Sequence, residues 1–364
     1  MKSPSSNHPF FTGIARFVCG VLLALLTIWL VGVFCCRNYV MIHYDPVLER
    51  NYFQGGQSIL VTTEGWAITR MGNDGMVAPG GVGWNNPGGV WLLMGNSFVE
   101  GLNVNDPEKM HTVANGLLAA RGRRERVVNV AMSAQALTDC RWQLPRYIKA
   151  HGDNINGVII CVTRSDILAR SGGEWGCKVL ETSDGYRVVP PAPRRDGRSG
   201  KIKHALAFNA FLKFGSQLKK VKLDFRLGPR RTVGRKAPET PITMEELERF
   251  VDWQFAAVRR STDKPIVILW FSDMPRRGRA GWLPGEETAE YRLVRRCGER
   301  HGLKVFSMRE DFNRFLETRG RYVPICGYSN TIPGVGHMNA HGHRVMGEKL
   351  AELIVSEAGG AGVK

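Results

Sequence analysis

The sequence is poor in acid. Asp and Glu number 33 against 50 Lys and Arg, which leaves a net charge of +17. Such an excess favours anionic partners or anionic membranes and says nothing about fold. Aspartate is missing altogether after Asp311. Nucleotide and metal signatures are missing too: there is no P-loop, no Gly-x-Gly-x-x-Gly turn and no His-Glu-x-x-His helix. A nucleoside triphosphatase, a dinucleotide-dependent enzyme and a zinc protease of those types are thereby excluded. Three of the eight cysteines (Cys19, Cys35, Cys36) lie in or beside an apolar run. The other five, Cys140, Cys161, Cys177, Cys297 and Cys326, are odd in number and lack metal-ligand spacing. No metal and no cofactor is expected.

The basic excess is local. Between Arg194 and Lys236 stand 14 Lys/Arg against Asp196 and Asp224, a net of +12 out of the +17. This segment suits an anionic lipid or glycan, or is a solvated insertion. It carries no zinc-finger spacing, aromatic ribonucleoprotein strand or basic zipper, so nucleic acid is the partner with least support.

Long apolar runs are equally scarce, with one exception. Phe17 through Cys36 is uncharged for twenty residues, a helix ~30 Å long and enough to cross a bilayer. The run ends Val33-Phe34-Cys35-Cys36-Arg37, a poor cleavage site for a signal peptide and a poor lipoprotein site. The expectation is an uncleaved single-pass anchor over 17–36, with residues 1–16 as a cytoplasmic tail and the body outside the cytoplasmic membrane.

Beyond the anchor, residues 37–88 read as an irregular lead-in with Gly-rich turns. From residue 89 to 358 strands and helices alternate. The strands expected are Val90–Met94, Arg126–Ala131, Val158–Val162, Ile266–Phe271 and Lys304–Ser307. The helices expected are Pro107–Ala120 with Asp106 as N-cap, Ala134–Ala150 with a break at Pro145, one from the capping box Thr243-Met-Glu-Glu246, Glu286–His301 and Ala340–Glu357. A basic insertion at about 170–240, with a helix over His204–Val221, interrupts them, and 359–364 is a tail. Continuous apolar strands between helices predict an α/β fold, a three-layer α/β/α sandwich around a mostly parallel five-stranded sheet.

The chemistry hangs on two residues 240 apart. Ser97 follows the apolar strand Val90–Met94 on a tight turn, Gly95-Asn96-Ser97-Phe98, at the strand end where ligands of such sheets bind. His337 opens the run His337-Met-Asn-Ala-His-Gly-His343 before the last helix. A serine hydroxyl becomes a nucleophile only beside a base, so the two are expected to meet.

Four blocks in order carry a resemblance. Gly95-Asn96-Ser97-Phe98-Val-Glu-Gly101, Val128-Asn-Val-Ala-Met-Ser-Ala134, Ile159-Ile-Cys-Val-Thr-Arg-Ser165-Asp166-Ile167 and His337-x-Asn339-x-x-Gly-His343 together resemble the blocks of the SGNH (GDSL-like) hydrolase family. The lead-in Thr63-Glu-Gly-Trp is similar to that of membrane-anchored members. The resemblance implies Ser97 as nucleophile and His337 as general base. It implies the backbone N–H groups of Ser97 and Ala134 as oxyanion donors, with Ser165 in the place of the family's asparagine. The chain departs from the pattern at Asn96 (usually Asp), Ala134 (usually Gly) and Ser165 (usually Asn). It also has Pro333-Gly334-Val335-Gly336 where an orienting aspartate usually precedes the histidine. A backbone carbonyl holding the ring would leave a Ser–His dyad. Asn96, Arg164 and Asn339 are candidate substrate-contacting residues, and His343 is read as structural.

The function expected is that of a membrane-anchored serine ester hydrolase, acting on an acyl ester such as an acylated envelope polysaccharide. The alternatives are a carbohydrate O-acyltransferase of the same fold and a catalytically decayed binding or scaffold protein.

Overall fold

The structure is a computed structural model and describes residues 9–35, 42–61, 64–77, 83–170, 176–183, 185–194, 242–278, 281–319, 323–331 and 334–360. The chain divides into two compact units. The first contributes helix α1, Pro9–Cys35, to the described residues. Its stretch Gly13–Leu30 is long and apolar enough to cross a membrane, and none of it is buried. By length and composition α1 qualifies as an anchor or as a signal sequence. Most of the basic segment, from Arg195 to Lys236, and the helix expected over 204–221 lie outside the described residues.

The second unit is built on one sheet. It begins with two short antiparallel pairs: β1 (Ile42–Asp45) with β2 (Arg50–Phe53), and β3 (Ser58–Val61) with β4 (Ala67–Arg70). The lead-in is therefore not irregular. Its strands are four residues each, too short to announce themselves as a period-2 pattern. Next come β5 (Val90–Met94), α2 (Ser97–Glu100), α3 (Met110–Ala120), β6 (Arg126–Asn129), α4 (Leu137–His151), β7 (Ile155–Val162) and α5 (Arg164–Leu168). A hairpin of β8 (Lys178–Thr182) and β9 (Gly185–Val189) opens the expected insertion. The chain continues through α6 (Met244–Arg260), β10 (Ile266–Trp270), the pair β11 (Arg276–Gly278) and β12 (Gly281–Leu283), α7 (Ala289–Arg300), β13 (Lys304–Ser307), α8 (Arg309–Arg319) and α9 (Ala340–Gly360).

Five strands form the central sheet in the order β13-β10-β7-β5-β6, and every neighbouring pair is parallel. Alternate strand residues feed two separate cores. Val90, Leu92, Met94, Ile160 and Ile268 pack with Leu144 of α4, Val251 of α6 and Val294 of α7. Trp91, Leu93, Ile159, Cys161 and Leu269 pack with Ala114 of α3, Phe312 of α8 and Leu350 of α9. Helices thus cover both faces, which is the α/β/α sandwich expected. Each fully buried aliphatic side chain contributes about 1.5–3 kcal/mol.

Local signals mostly hold. Thr243 Oγ1 accepts from Glu246 N at 3.1 Å, and the Glu246 carboxylate accepts from Thr243 N at 2.9 Å, so the capping box starts α6. Two details differ. Asp106 does not cap a helix at Pro107. It opens a short 3-10 turn, Asp106–Glu108, and its carboxylate accepts from Arg70 N at 3.2 Å. Helix α4 starts three residues later than expected and runs straight through Pro145.

Because β6 and β7 lie on opposite sides of β5, the strand order reverses between β5 and β7. A crevice outside the C-terminal ends of these strands is the usual ligand position. Ser97 follows β5, and Arg164 with Ser165 follow β7.

Candidate active site

Strand β5 is buried along its whole length and ends at Gly95. A Cβ there would lie 2.6 Å from Val99 Cγ2, so only glycine lets the turn fold this tightly. Asn96 then caps α2, its Oδ1 accepting from Phe98 N at 2.9 Å, and Ser97 is the first helical residue. Asn96 Nδ2 donates to both oxygens of Asp166, at 2.9 and 2.8 Å. Asp166 also accepts from Thr163 N and Thr163 Oγ1, each at 2.7 Å. Burial drives the Asp166 pKa up, and these hydrogen bonds only partly oppose it. Both ends of the Asn96 amide are thus engaged inside the protein. The substrate contact expected of Asn96 is replaced by a positioning role for the Ser97 turn.

His337 arrives on a loop pinned at both ends. Cys326 and Met338 form an isolated antiparallel bridge, and Gly327 N donates to His337 O at 2.9 Å. Asn339 Nδ2 donates to Pro324 O and Gly327 O at 2.9 and 3.1 Å, and its Oδ1 accepts from His341 N and Gly342 N. Asn339 therefore braces this loop at the start of α9. Phe98 packs its ring 4.9 Å from the imidazole, centroid to centroid.

The two expected partners meet: His337 Nε2 lies 2.8 Å from Ser97 Oγ. The other side of the ring holds the finding that sequence reading missed. Glu64, in the turn between β3 and β4, places Oε2 2.6 Å from His337 Nδ1 and accepts from His337 N at 3.0 Å. Asn103 Nδ2 adds a third contact to the same oxygen at 3.3 Å. The ring is therefore held by a carboxylate and not by a backbone carbonyl, and the dyad is a three-membered relay. Gly336, at φ +97°, makes room for it, since a Cβ there would stand 2.9 Å from Glu64 Oε2. Burial works to raise the Glu64 pKa, but the hydrogen bonds from the His337 backbone and ring outweigh it and hold the carboxyl below its ordinary value. An ionised Glu64 fixes the tautomer in which Nδ1 carries the proton and Nε2 can accept from serine.

The lead-in that carries Glu64 is locked to the Ser97 turn by a buried lysine. Lys109 Nζ donates to Thr69 Oγ1 of β4 at 2.6 Å, and to Gly101 O and Val104 O at 2.7 and 2.8 Å. Burial, the largest influence, brings its pKa down to about 8 against the pull of Asp106 and Glu100. A second tie joins α2 to the loop after β6, where Ser133 N donates to Glu100 Oε2 at 2.9 Å.

That loop carries Ala134 at φ +62°, a left-handed conformation that costs an alanine about 1–2 kcal/mol. Ser165 is exposed in the first turn of α5, with its hydroxyl 2.7 Å from Thr163 Oγ1. Because the Thr163 hydroxyl donates to Asp166, the Ser165 proton points at Thr163, which leaves it turned from an oxyanion role. Arg164 is exposed and ion-paired through Nε with Glu290 at 2.7 Å. An acidic substrate group would compete with that glutamate. His343 is buried, and its Nδ1 accepts from Met110 N at the start of α3. Burial, the largest cause, takes its pKa well below the ordinary value. No group of His, Cys, Asp and Glu suited to a metal occurs among the described residues.

No protein-family model matches the chain, and no curated protein matches it. Solved structures similar to it include an alpha/beta hydrolase enzyme from the metagenome of Lake Arreo, Spain, 17% identical over 76% of this chain and 97% of that one, with a TM-score of 0.37. An extracellular lipase from Streptomyces rimosus is 12% identical over 74% and 99%, with a TM-score of 0.38. A catalytic mutant of an acetylxylan esterase from Geobacillus stearothermophilus is 13% identical over 74% and 94%, with a TM-score of 0.35. The chain has the α/β/α architecture expected, and the blocks that resemble those of the SGNH family converge at one sheet edge, where Ser97 meets His337 and Asn96 meets Asp166.

Proposed function

We propose that the protein is a serine ester hydrolase. The observation that supports this most directly is the relay Glu64–His337–Ser97, with hydrogen-bond distances of 2.6 and 2.8 Å. Ser97 Oγ attacks an ester carbonyl while His337 Nε2 takes its proton, and Glu64 stabilises the imidazolium that forms. The tetrahedral oxyanion is held by the backbone N–H groups of Ser97 and Ala134. Collapse expels the alcohol, protonated by His337, and leaves an acyl-serine. Water activated by the same imidazole then releases the acid. Transfer of the acyl group to a sugar hydroxyl uses the same residues and replaces only the water.

On this reading α1 is an uncleaved anchor with the body outside the cytoplasmic membrane, and the substrate is an acylated envelope polysaccharide. Support comes from the length and exposure of α1 and from the chain's basic charge of +17. A fluorophosphonate probe tests the chemistry. Labelling is expected with the parent and lost in Ser97→Ala and His337→Ala. Equal labelling in all three proteins, or none in the parent, removes the hydrolase reading.

A further inference from the structure

A cavity of about 420 Å³ opens beside the relay, within the range of small-ligand sites. Trp66, Tyr328, Asn103, Asn105, Glu108 and His341 are among the residues that line it. Ser97 and His337 do not. The cavity touches the relay at two points. Asn103, on its wall, donates to Glu64 Oε2. Asn339, also on its wall, braces the loop that carries His337.

Three consecutive residues tie the two sites together. Glu64 reaches the imidazole. Gly65, at φ +76°, lies under the Tyr328 ring so closely that a Cβ would sit 2.4 Å from Cδ1. Trp66 then turns outward, on the same side as the exposed Ile68 and Arg70 of β4, while Ala67 and Thr69 are buried. At 57% exposure Trp66 is the one exposed aromatic of the α/β unit among the described residues. The core closes beneath it on Ala67 and Thr69, so packing of the core does not account for the indole's outward position.

A flat aromatic face rimmed by amide, carboxylate and imidazole groups matches one ligand chemistry. The apolar C–H face of a pyranose stacks on the ring, and its hydroxyls need donors and acceptors around the edge. A lipid chain would make no use of the exposed polar groups of Asn105, Glu108 and His341 on that rim. The geometry points to this cavity as a saccharide subsite that holds the polymer backbone of the substrate next to the relay, with Trp66 as its stacking platform. The inference rests on the ester-hydrolase reading for the word substrate, but not for binding itself.

The test uses the full chain with Ser97→Ala, in a polyoxyethylene detergent, since a maltoside would compete. Xylohexaose, mannohexaose and chitohexaose, none of them acylated, are titrated by calorimetry and by saturation-transfer NMR. At least one is expected to bind, with Trp66→Ala weakening it tenfold or more and Trp66→Phe retaining part of the affinity. Unchanged melting temperatures for both variants show that the fold is intact. Equal binding with and without the indole, or no binding of any hexasaccharide up to about 10 mM, overturns the subsite. Sugar binding in a protein whose parent hydrolyses no ester removes the hydrolase reading and keeps the subsite. Ester hydrolysis without sugar binding does the reverse.

Discussion

The position of Glu64 makes a quantitative distinction between two substitutions. Three donors converge on Glu64 Oε2: His337 Nδ1 at 2.6 Å, His337 N at 3.0 Å and Asn103 Nδ2 at 3.3 Å. A glutamine at this position is driven to put its oxygen there, because an amide N–H would face only other donors. Glu64→Gln therefore keeps the tautomer and the ring orientation and removes only the charge. At ~4 Å and an effective dielectric of ~20, a carboxylate attracts an imidazolium by ~4 kcal/mol. Both side chains are 31% exposed, and screening by water and salt reduces this to about 2 kcal/mol. The expected loss in kcat is then about 30-fold. Glu64→Ala also removes the anchor of the ring, and a loss of ~10³-fold or more is expected by analogy with a mis-set triad histidine. Steady-state hydrolysis of p-nitrophenyl acetate, with melting temperatures as a control for folding, measures both. Alanine within threefold of the parent would show that another group orients His337. Glutamine as damaging as alanine would show that the charge, and not the placement of the ring, dominates.

Asn96→Asp sets a second carboxylate against buried Asp166, now bonded at 2.8–2.9 Å, and one of the two must take a proton. An acid whose folded pKa is raised stabilises the fold at low pH and loses that contribution as pH rises through the folded value, so the variant is expected to lose about 3 kcal/mol at pH 8 and clearly less at pH 5. Urea midpoints at the two pH values check this, and an equal loss at both refutes it. Ala134→Gly relieves the left-handed strain at φ +62° but adds freedom to the unfolded chain, for a net gain of about 0.5–1 kcal/mol and a melting temperature about 1–2 °C higher. A lower melting temperature would mean that Ala134 is unstrained.

The sheet was legible because β5, β10 and the Val158–Val162 part of β7 are unbroken apolar runs separated by helical periodicity, while the edge strands β6 and β13 are only half apolar. Trp270 and Phe271 at the end of β10 and Met94 at the end of β5 are buried like the rest of their strands, and no tertiary fact overrides them. The meeting of Ser97 with His337 was legible from residue type and from position relative to strand and helix. Glu64 stands in the lead-in Thr63-Glu-Gly-Trp that carries part of the resemblance, but its role was not legible, for a physical reason. The orienting carboxylate was sought just before His337, where Gly334 and Gly336 stand. It comes instead from a turn 273 residues away, between two four-residue strands that no periodicity marks. Gly336 looked like a vacancy in the motif and is the space into which the carboxylate fits. The engaged amide of Asn96 was misjudged for a similar reason, since a polar side chain near a site looks the same in sequence whether it faces a ligand or the protein interior.

The relay is assembled from residues 64, 97 and 337. A nascent chain leaving the ribosome acquires the carboxylate first and the hydroxyl soon after, and it can pair four of the five central strands once β10 has emerged. On the proposed mechanism Ser97 lacks its base, His337, through all of that interval. On that mechanism reactivity is withheld until the loop between α8 and α9 docks, so the molecule would pass most of its synthesis as its own latent form.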